Sequence, residues 1–198
     1  MIAILDYGAG NLRSVQNTLA ELGAGYTLVR DSAGLQAASK IILPGVGHFG
    51  QMMRALDALS VRQALLDRIS AGVPFLGICL GLQALCTASD EAPGLPGLGL
   101  YNATVRRFPA EARVPHMGWN ELDRRTDSRL LAELPARPFV YFAHSFYVPE
   151  ISAAAATCNY TVPYTALLED RNVFGVQFHP EKSGPAGLRI VRNFLDIT

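Results

Sequence analysis

The sequence predicts an α/β fold: a central, mostly parallel sheet with flanking helices and additional β-strands in the C-terminal half, in a single domain spanning residues 1–198. Three observations lead to this expectation. Short apolar runs alternate with amphipathic helical stretches through the first half, as a parallel sheet with crossover helices requires. After Leu85 the character changes and β-rich segments dominate. The length of 198 residues allows one well-buried domain and is short for two.

Taken in order, Ile2–Leu5 reads as the first strand and Asn11–Leu22 as the following helix, ended by Gly23. Between them Gly8-Ala9-Gly10 reads as a tight turn presenting Asn11 at the helix start. Tyr26–Val29 and Lys40–Leu43 are further short strands. Ser60–Ser70 is an amphipathic helix with Val61, Ala64, Leu65 and Ile69 on one face, stopped by Gly72. The apolar run Val73–Ile78 predicts a buried strand, and Leu82, Leu85 and Cys86 then repeat at helical spacing. Ala88–Gly99 is a Pro/Gly loop. Strands are expected at Leu100–Phe108, Met117–Leu122, Phe139–Phe142, Ala154–Asn159, Thr165–Glu169 and Val173–Phe178, with a closing helix at Ala186–Leu195.

Composition narrows the function classes. The formal net charge is zero and no basic run exists, so neither nucleic acid nor an anionic membrane is an expected partner. Apolar runs are far shorter than a membrane span, and the N-terminus reads as a strand, not a signal peptide. The three cysteines, Cys79, Cys86 and Cys158, are odd in number and widely spaced, which fits a reducing cytoplasm better than a disulfide framework. Charged residues are 17% of the chain, against roughly 25% in typical soluble domains. Either another protein covers part of the surface, or a large core rich in Ala and Gly accounts for the deficit.

The residues that carry chemistry begin with Gly77-Ile78-Cys79-Leu80-Gly81, a nucleophile elbow with cysteine in place of serine. A side chain at either flanking glycine would crowd the tight turn between strand and helix. There the Cys79 sulfur is expected to meet the positive end of a helix, which favours thiolate. A cysteine in an apolar run otherwise reads as a small core residue, so a base elsewhere is needed. Val173–Lys182 supplies it. Pro180 is expected to keep its neighbours extended, so that His179 and Glu181, two apart, share one side. A carboxylate beside an imidazole fixes its tautomer and stabilises the imidazolium, giving a nucleophile–base–orienter set. The Leu43–Phe49 loop would reach the same sheet edge, and acyl transfer needs two donors for the oxyanion. The Leu80 amide is one candidate and an amide within Gly45–Gly47 the other. No Walker loop or dinucleotide fingerprint is present, and the four histidines lack metal-ligand spacing, so neither cofactor nor metal is expected.

These residues resemble the class I, triad-type glutamine amidotransferases through GICLGLQ at 77–83, PGVG at 44–47 and HPE at 179–181. Within them the chain is most similar to the glutaminase subunits of imidazole glycerol phosphate synthases, through DYGAGN at 6–11, PGVGHF at 44–49, PHMGWN at 115–120, YFAHSFY at 141–147 and GVQFHPEKS at 175–183. Leu82 stands where many relatives carry Met, a swap that conserves volume. The resemblance implies a glutaminase passing ammonia to a separate (β/α)₈ cyclase subunit of histidine biosynthesis, because a barrel of about 250 residues cannot fit in this chain. The roles implied are Cys79 as nucleophile, His179 as acid/base, Glu181 as orienter, and Val46 and Leu80 as oxyanion donors. Gly47, Gln83, Ser145 and Phe146 would bind glutamine, with His144 a further polar candidate beside it. Asn11, Trp119, Tyr141 and Lys182 would contact the partner, although Trp119 on spacing alone could equally be core. The resemblance also implies an oxyanion amide that turns away until the partner binds its own substrate. Competing readings are a glutaminase of the pyridoxal phosphate, anthranilate or guanylate pathways, a stand-alone γ-glutamyl hydrolase, and a non-catalytic regulatory subunit. The PHMGWN and YFAHSFY blocks argue against the first, and an intact Cys79, His179 and Glu181 against the last.

Overall fold

The computed structural model describes residues 1–9 and 11–198; Gly10, part of the expected turn before Asn11, lies outside the described residues. The first half alternates β1 (Ile2–Leu5), α1 (Leu12–Glu21), β2 (Tyr26–Val29), α2 (Ser32–Gln36), β3 (Lys40–Gly45), α3 (Phe49–Ala58), α4 (Arg62–Ser70), β4 (Phe75–Cys79) and α5 (Leu80–Gln83). The second half carries β5 (Cys86–Ser89), β6 (Tyr101–Arg107), β7 (His116–Glu121), β8 (Asp123–Arg124), β9 (Phe139–His144), β10 (Phe146–Tyr147), β11 (Ala154–Tyr160), β12 (Val162–Asp170) and β13 (Val173–Val176), then α6 (Gly184–Asp196).

The main sheet has eight strands in the order β2-β1-β3-β4-β13-β12-β11-β8. Strands β2, β1, β3, β4 and β13 pair in parallel, and β12, β11 and β8 continue antiparallel. Alternate residues of the parallel strands enter opposite cores. Ala3, Leu5, Ile41, Leu43 and Phe75 join Met52, Met53, Leu56, Leu65 and Ile69 of α3 and α4. On the other face, Ile4, Ile42, Leu76 and Ile78 pack with Val15 and Leu19 of α1 and Ile190, Val191 and Phe194 of α6. Burial on both faces explains why these strands read as near-continuous apolar runs. Two smaller sheets, β10-β6-β5 and β7-β9, stand beside the main one.

Four expectations need correction. Helix α3 lies within a stretch for which no element was expected; the His48 imidazole caps it, its Nδ1 accepting from the Gly50 amide at 3.0 Å. Helix α2 was also unforeseen and is opened by Asp31, whose side chain accepts from the Gly34 amide at 2.8 Å. The helix after the elbow stops at Gln83, and Cys86 begins a strand. The carbonyls of Ala84 and Leu85, which a longer helix would use, accept instead from Leu98 and Leu100. Finally, Pro180 holds only the residue before it extended: His179 is extended, but residues Pro180–Lys182 form a 3-10 turn with Pro at its first position, where the missing N–H costs nothing.

Candidate active site

The parallel register brings three loops to one edge. Gly45 pairs with Cys79, and Val176 pairs with Ile78, so Gln177 follows at the level of Cys79. The elbow is tight because its glycines have no room for a side chain. A Cβ at Gly77 would meet the Gly81 carbonyl oxygen at 2.5 Å, and one at Gly81 would meet the Leu43 carbonyl oxygen at 2.1 Å. Cys79 itself has φ 53°, a left-handed conformation that only a rigid surround maintains in a non-glycine residue. With α5 only four residues long, its dipole contributes less than a full-length helix would.

His179 and Glu181 meet as expected, but by a different route. His179 is the extended residue before the 3-10 turn, and the turn swings Glu181 back, placing Oε1 2.8 Å from Nδ1 of the ring. Both side chains are almost fully buried. Burial alone would push the imidazole down; the Cys79 sulfur lying against it, and then the Glu181 carboxylate, outweigh that and raise His179 from 6.5 to about 10. Burial pushes the Cys86 thiol up to about 12 and the Cys158 thiol up to about 11, where thiols are inert. All three cysteines are free.

A cavity of ≈ 220 Å³ opens over the sulfur and is lined by Val46, Gly47, Cys79, Leu80, Gln83, Ser145, Phe146 and His179, so the expected triad cysteine and histidine, oxyanion loop and glutamine-binding residues share one pocket. Glu181 stands behind His179. Gly47 takes φ +97°, the conformation for which glycine is suited in this loop. Gln83 is held at its nitrogen, which donates to the Phe146 carbonyl at 2.9 Å and to Gln177 Oε1 at 3.0 Å, leaving only its own oxygen to receive a ligand donor. His144 also reaches the pocket, donating from Nδ1 to the Phe146 carbonyl at 2.8 Å. Burial lowers it to about 3, and lowers its neighbour His116 to about 4, so both rings are neutral.

Two lining or neighbouring residues escaped the sequence reading. Glu91, in the expected Pro/Gly loop, lines the pocket and accepts from the Phe49 amide at 2.7 Å; nothing in its local sequence marks it. Gln177 donates to the Cys79 sulfur at 3.5 Å. Its signal was a polar side chain within a run otherwise reading as buried strand.

Of the residues expected at a partner surface, Trp119 is 55% exposed and therefore not core. Antiparallel pairing sets Met117 opposite Ala143, Trp119 opposite Tyr141 and Glu121 opposite Phe139, so these side chains share one face of the β7–β9 ribbon. Met117 and Phe139 are 64% and 53% exposed. The Trp119 and Tyr141 rings meet edge to face with centroids 6.1 Å apart, and the Lys182 ammonium sits 5.9 Å from the Tyr141 centroid. This apolar face starts at the pocket, which Met117 and Ala143 also line. Asn11 opens α1 without a side-chain capping bond.

A cysteine on a strained elbow, an imidazole against its sulfur and a buried carboxylate orienting that ring are the equipment of a triad-type cysteine hydrolase acting on acyl or amide carbons. The family profile of glutamine amidotransferase class-I matches residues 3–197, and the chain belongs to that family. It is 48% identical over 198 residues to imidazole glycerol phosphate synthase subunit HisH of Methanothermobacter thermautotrophicus, covering 100% of this chain and 98% of the relative. The HisH subunit of Deinococcus radiodurans is 45% identical over 198 residues, covering 98% of this chain and 92% of the relative. Among solved structures, a glutamine amidotransferase superposes with a TM-score of 0.77 at 21% identity, covering 98% of this chain and 97% of the other. PurLQS from Thermotoga maritima gives 0.74 at 19% identity, covering 98% of this chain and 97% of the matched one. These two likenesses speak to the fold. Among the described residues no helix is long and apolar enough to cross a membrane.

Proposed function

We propose that this chain is the glutaminase subunit of an imidazole glycerol phosphate synthase. It hydrolyses L-glutamine to glutamate and ammonia and delivers the ammonia to a separate (β/α)₈ cyclase chain in the cytoplasm. The observation that supports the chemistry most directly is the buried His179–Glu181 pair at 2.8 Å, with the ring raised to about 10 beside the sulfur at the pocket floor.

Cys79 Sγ attacks the side-chain amide carbon of glutamine, and the carbonyl oxygen takes the negative charge, which the Leu80 and Val46 amides are assigned to receive. His179 gives its proton to the amide nitrogen as the C–N bond breaks, so ammonia leaves and a thioester remains. Water then attacks the thioester, its proton passing to His179, and glutamate departs as the sulfur is released. Glu181 keeps the ring's Nδ1 engaged throughout, which leaves Nε2 for the reacting atoms. At the other end of the substrate, Glu91 offers a carboxylate to the α-ammonium group, and the Ser145–Phe146 main chain flanks the α-carboxylate.

Ammonia released to neutral water becomes ammonium, which has no lone pair for attack. A consumer sealed over the pocket avoids that loss. The exposed Met117, Trp119 and Phe139, continuous with the pocket mouth, support this face as the docking surface, with Trp119 and Tyr141 as anchors and Lys182 beside Tyr141; Asn11 is assigned to the contact by the family resemblance alone. The HisH names of the relatives favour this pathway over the other amidotransferase pathways.

The test is Cys79→Ala in the complex with its cyclase. Glutamine-dependent product formation is expected to fall to background while ammonia-dependent formation persists. Loss of both activities, or glutamine hydrolysis that survives the substitution, overturns the proposal.

A further inference from the structure

The sulfur has a second neighbour besides the imidazole. Gln177 is fully buried, and both ends of its side-chain amide have partners. Its position follows from register, one residue beyond the Val176–Ile78 pair and so beside Cys79. The orientation of the amide follows from a chain of donors and acceptors. A main-chain carbonyl can only accept, so the Gln83 atom 2.9 Å from the Phe146 oxygen is its nitrogen. That same nitrogen lies 3.0 Å from Gln177, which must therefore turn its oxygen toward it. The Gln177 nitrogen is left facing the Cys79 sulfur at 3.5 Å. The Phe146 carbonyl is fixed in turn by the Nδ1–H of His144 at 2.8 Å.

We infer that Gln177 is a positioning residue for the Cys79 sulfur, its N–H held toward the sulfur by Gln83 and the Phe146 carbonyl so that it favours the anionic form. The arrangement suits that purpose. A hydrogen bond to a charged acceptor is stronger than one between neutral groups, and a buried amide free to rotate could instead turn its oxygen toward the anion. The Gln83 contact prevents the turn. The inference rests on Cys79 being the nucleophile, and it ties the Ser145–Phe146 wall of the substrate pocket to the reactivity of the sulfur.

The test is the rate of Cys79 alkylation by iodoacetamide as a function of pH, in the free chain and in the complex, followed by mass analysis of the Cys79 peptide. Gln177→Met removes the donor at similar volume, and Gln177→Glu keeps the shape but replaces the donor by an acceptor. The expected result is alkylation slowed about tenfold near neutral pH in Gln177→Met, more in Gln177→Glu, with the deficit closing as the medium becomes alkaline. Glutaminase kcat should fall in parallel while KM for glutamine stays within about twofold. Folded variants that alkylate at the wild-type rate across the pH range overturn the inference. A measurement that needs no change at Gln177 is its side-chain amide NMR resonance in Cys79→Ala, expected to move; an unmoved resonance also overturns it. Alkylation of wild-type Cys79 that leaves glutaminase activity intact would instead sink the functional proposal, while the comparison of alkylation rates would stand.

Discussion

The two halves of the main sheet are built on different rules. Strands β2, β1, β3 and β4 are parallel and joined by helices, the inner β1, β3 and β4 buried on both faces, so every strand delivers its following loop to the same edge. Strands β11, β12 and β13 form an antiparallel run whose tight turns place Thr161 and Arg171 at positive φ, 63° and 53°. Within the main sheet β13, antiparallel to β12 yet parallel to β4, brings Gln177 and His179 to the edge where Cys79 stands. The candidate site therefore belongs to the β4–β13 seam and to neither half alone. The parallel half supplies Cys79 and the Gly45–Gly47 loop, and β13 with the turn after it supplies Gln177, His179 and Glu181.

The sharpest way to break this comparison is to insert one methyl group on either side of the seam. Gly81→Ala forces a Cβ to 2.1 Å from the Leu43 carbonyl oxygen, which is backbone of the parallel half and has nowhere to go. The expected cost is about 3–5 kcal/mol, a fall of roughly 10–15 °C in Tm by calorimetry. Gly175→Ala, on β13, meets the Leu82 Cδ1 atom at 2.5 Å, the end of a side chain that can change rotamer. Its cost should be about 1–2 kcal/mol. Equal losses would show that the seam is as rigid as the parallel half.

The pH dependence of stability separates the same regions with a smaller effect. His179, at the seam, is raised from 6.5 to about 10, so the stability it contributes is fully present below pH 6.5 and lost as pH rises through about 10. His116 and His144, in the core of the second half, are lowered to about 4 and about 3. Their neutral burial contributes stability present above about 6.5 and lost as pH falls through those values. Tm should thus decline on both flanks. Glu181→Gln, which removes one of the two contacts that hold the imidazolium, is expected to flatten the alkaline flank. His116→Phe, which keeps a ring between Tyr160 and Phe142, with centroids now 3.9 and 4.9 Å away, should make the acid flank shallower. A Glu181→Gln profile identical to wild type on the alkaline side would count against the assigned cause. The smallest effect is expected away from the seam: Arg106→Ala breaks an exposed pair with Asp90 at 3.2 Å and should change stability by at most about 0.5 kcal/mol in urea unfolding.

Legibility in the sequence follows the same division. In the parallel half, burial on both faces of β1, β3 and β4 leaves continuous apolar runs, and the glycines of the elbow mark a turn too tight for side chains, so these strands and Cys79 could be read directly. What was missed there was tertiary in origin. The spacing of Phe49, Met52, Met53 and Leu56 fits a helix, but the cap that starts it is an imidazole, an unusual helix starter. Cys86 keeps helical spacing with Leu82 and Leu85, yet the amides of Leu98 and Leu100, distant in sequence, take the carbonyls a longer helix would need. In the second half the strands were mostly anticipated, while the two-residue strands β8 and β10 carry too few residues for any periodicity. The His179–Glu181 pairing was anticipated, but through an extended segment; the 3-10 turn achieves it because proline is well suited to a turn's first position. Gln177 gave only the faint signal of an amide in a buried strand, since its partners lie 94 and 98 positions away.

The insertion of β13 beside β4 has a consequence for synthesis. On the ribosome the elbow emerges long before residues 173–181, and until they arrive one side of β4 has no neighbour and the sulfur has no imidazole beside it. On the proposed mechanism, a nascent or prematurely terminated polypeptide is therefore silent toward glutamine. On that mechanism competence arrives only when β13 closes the gap beside β4.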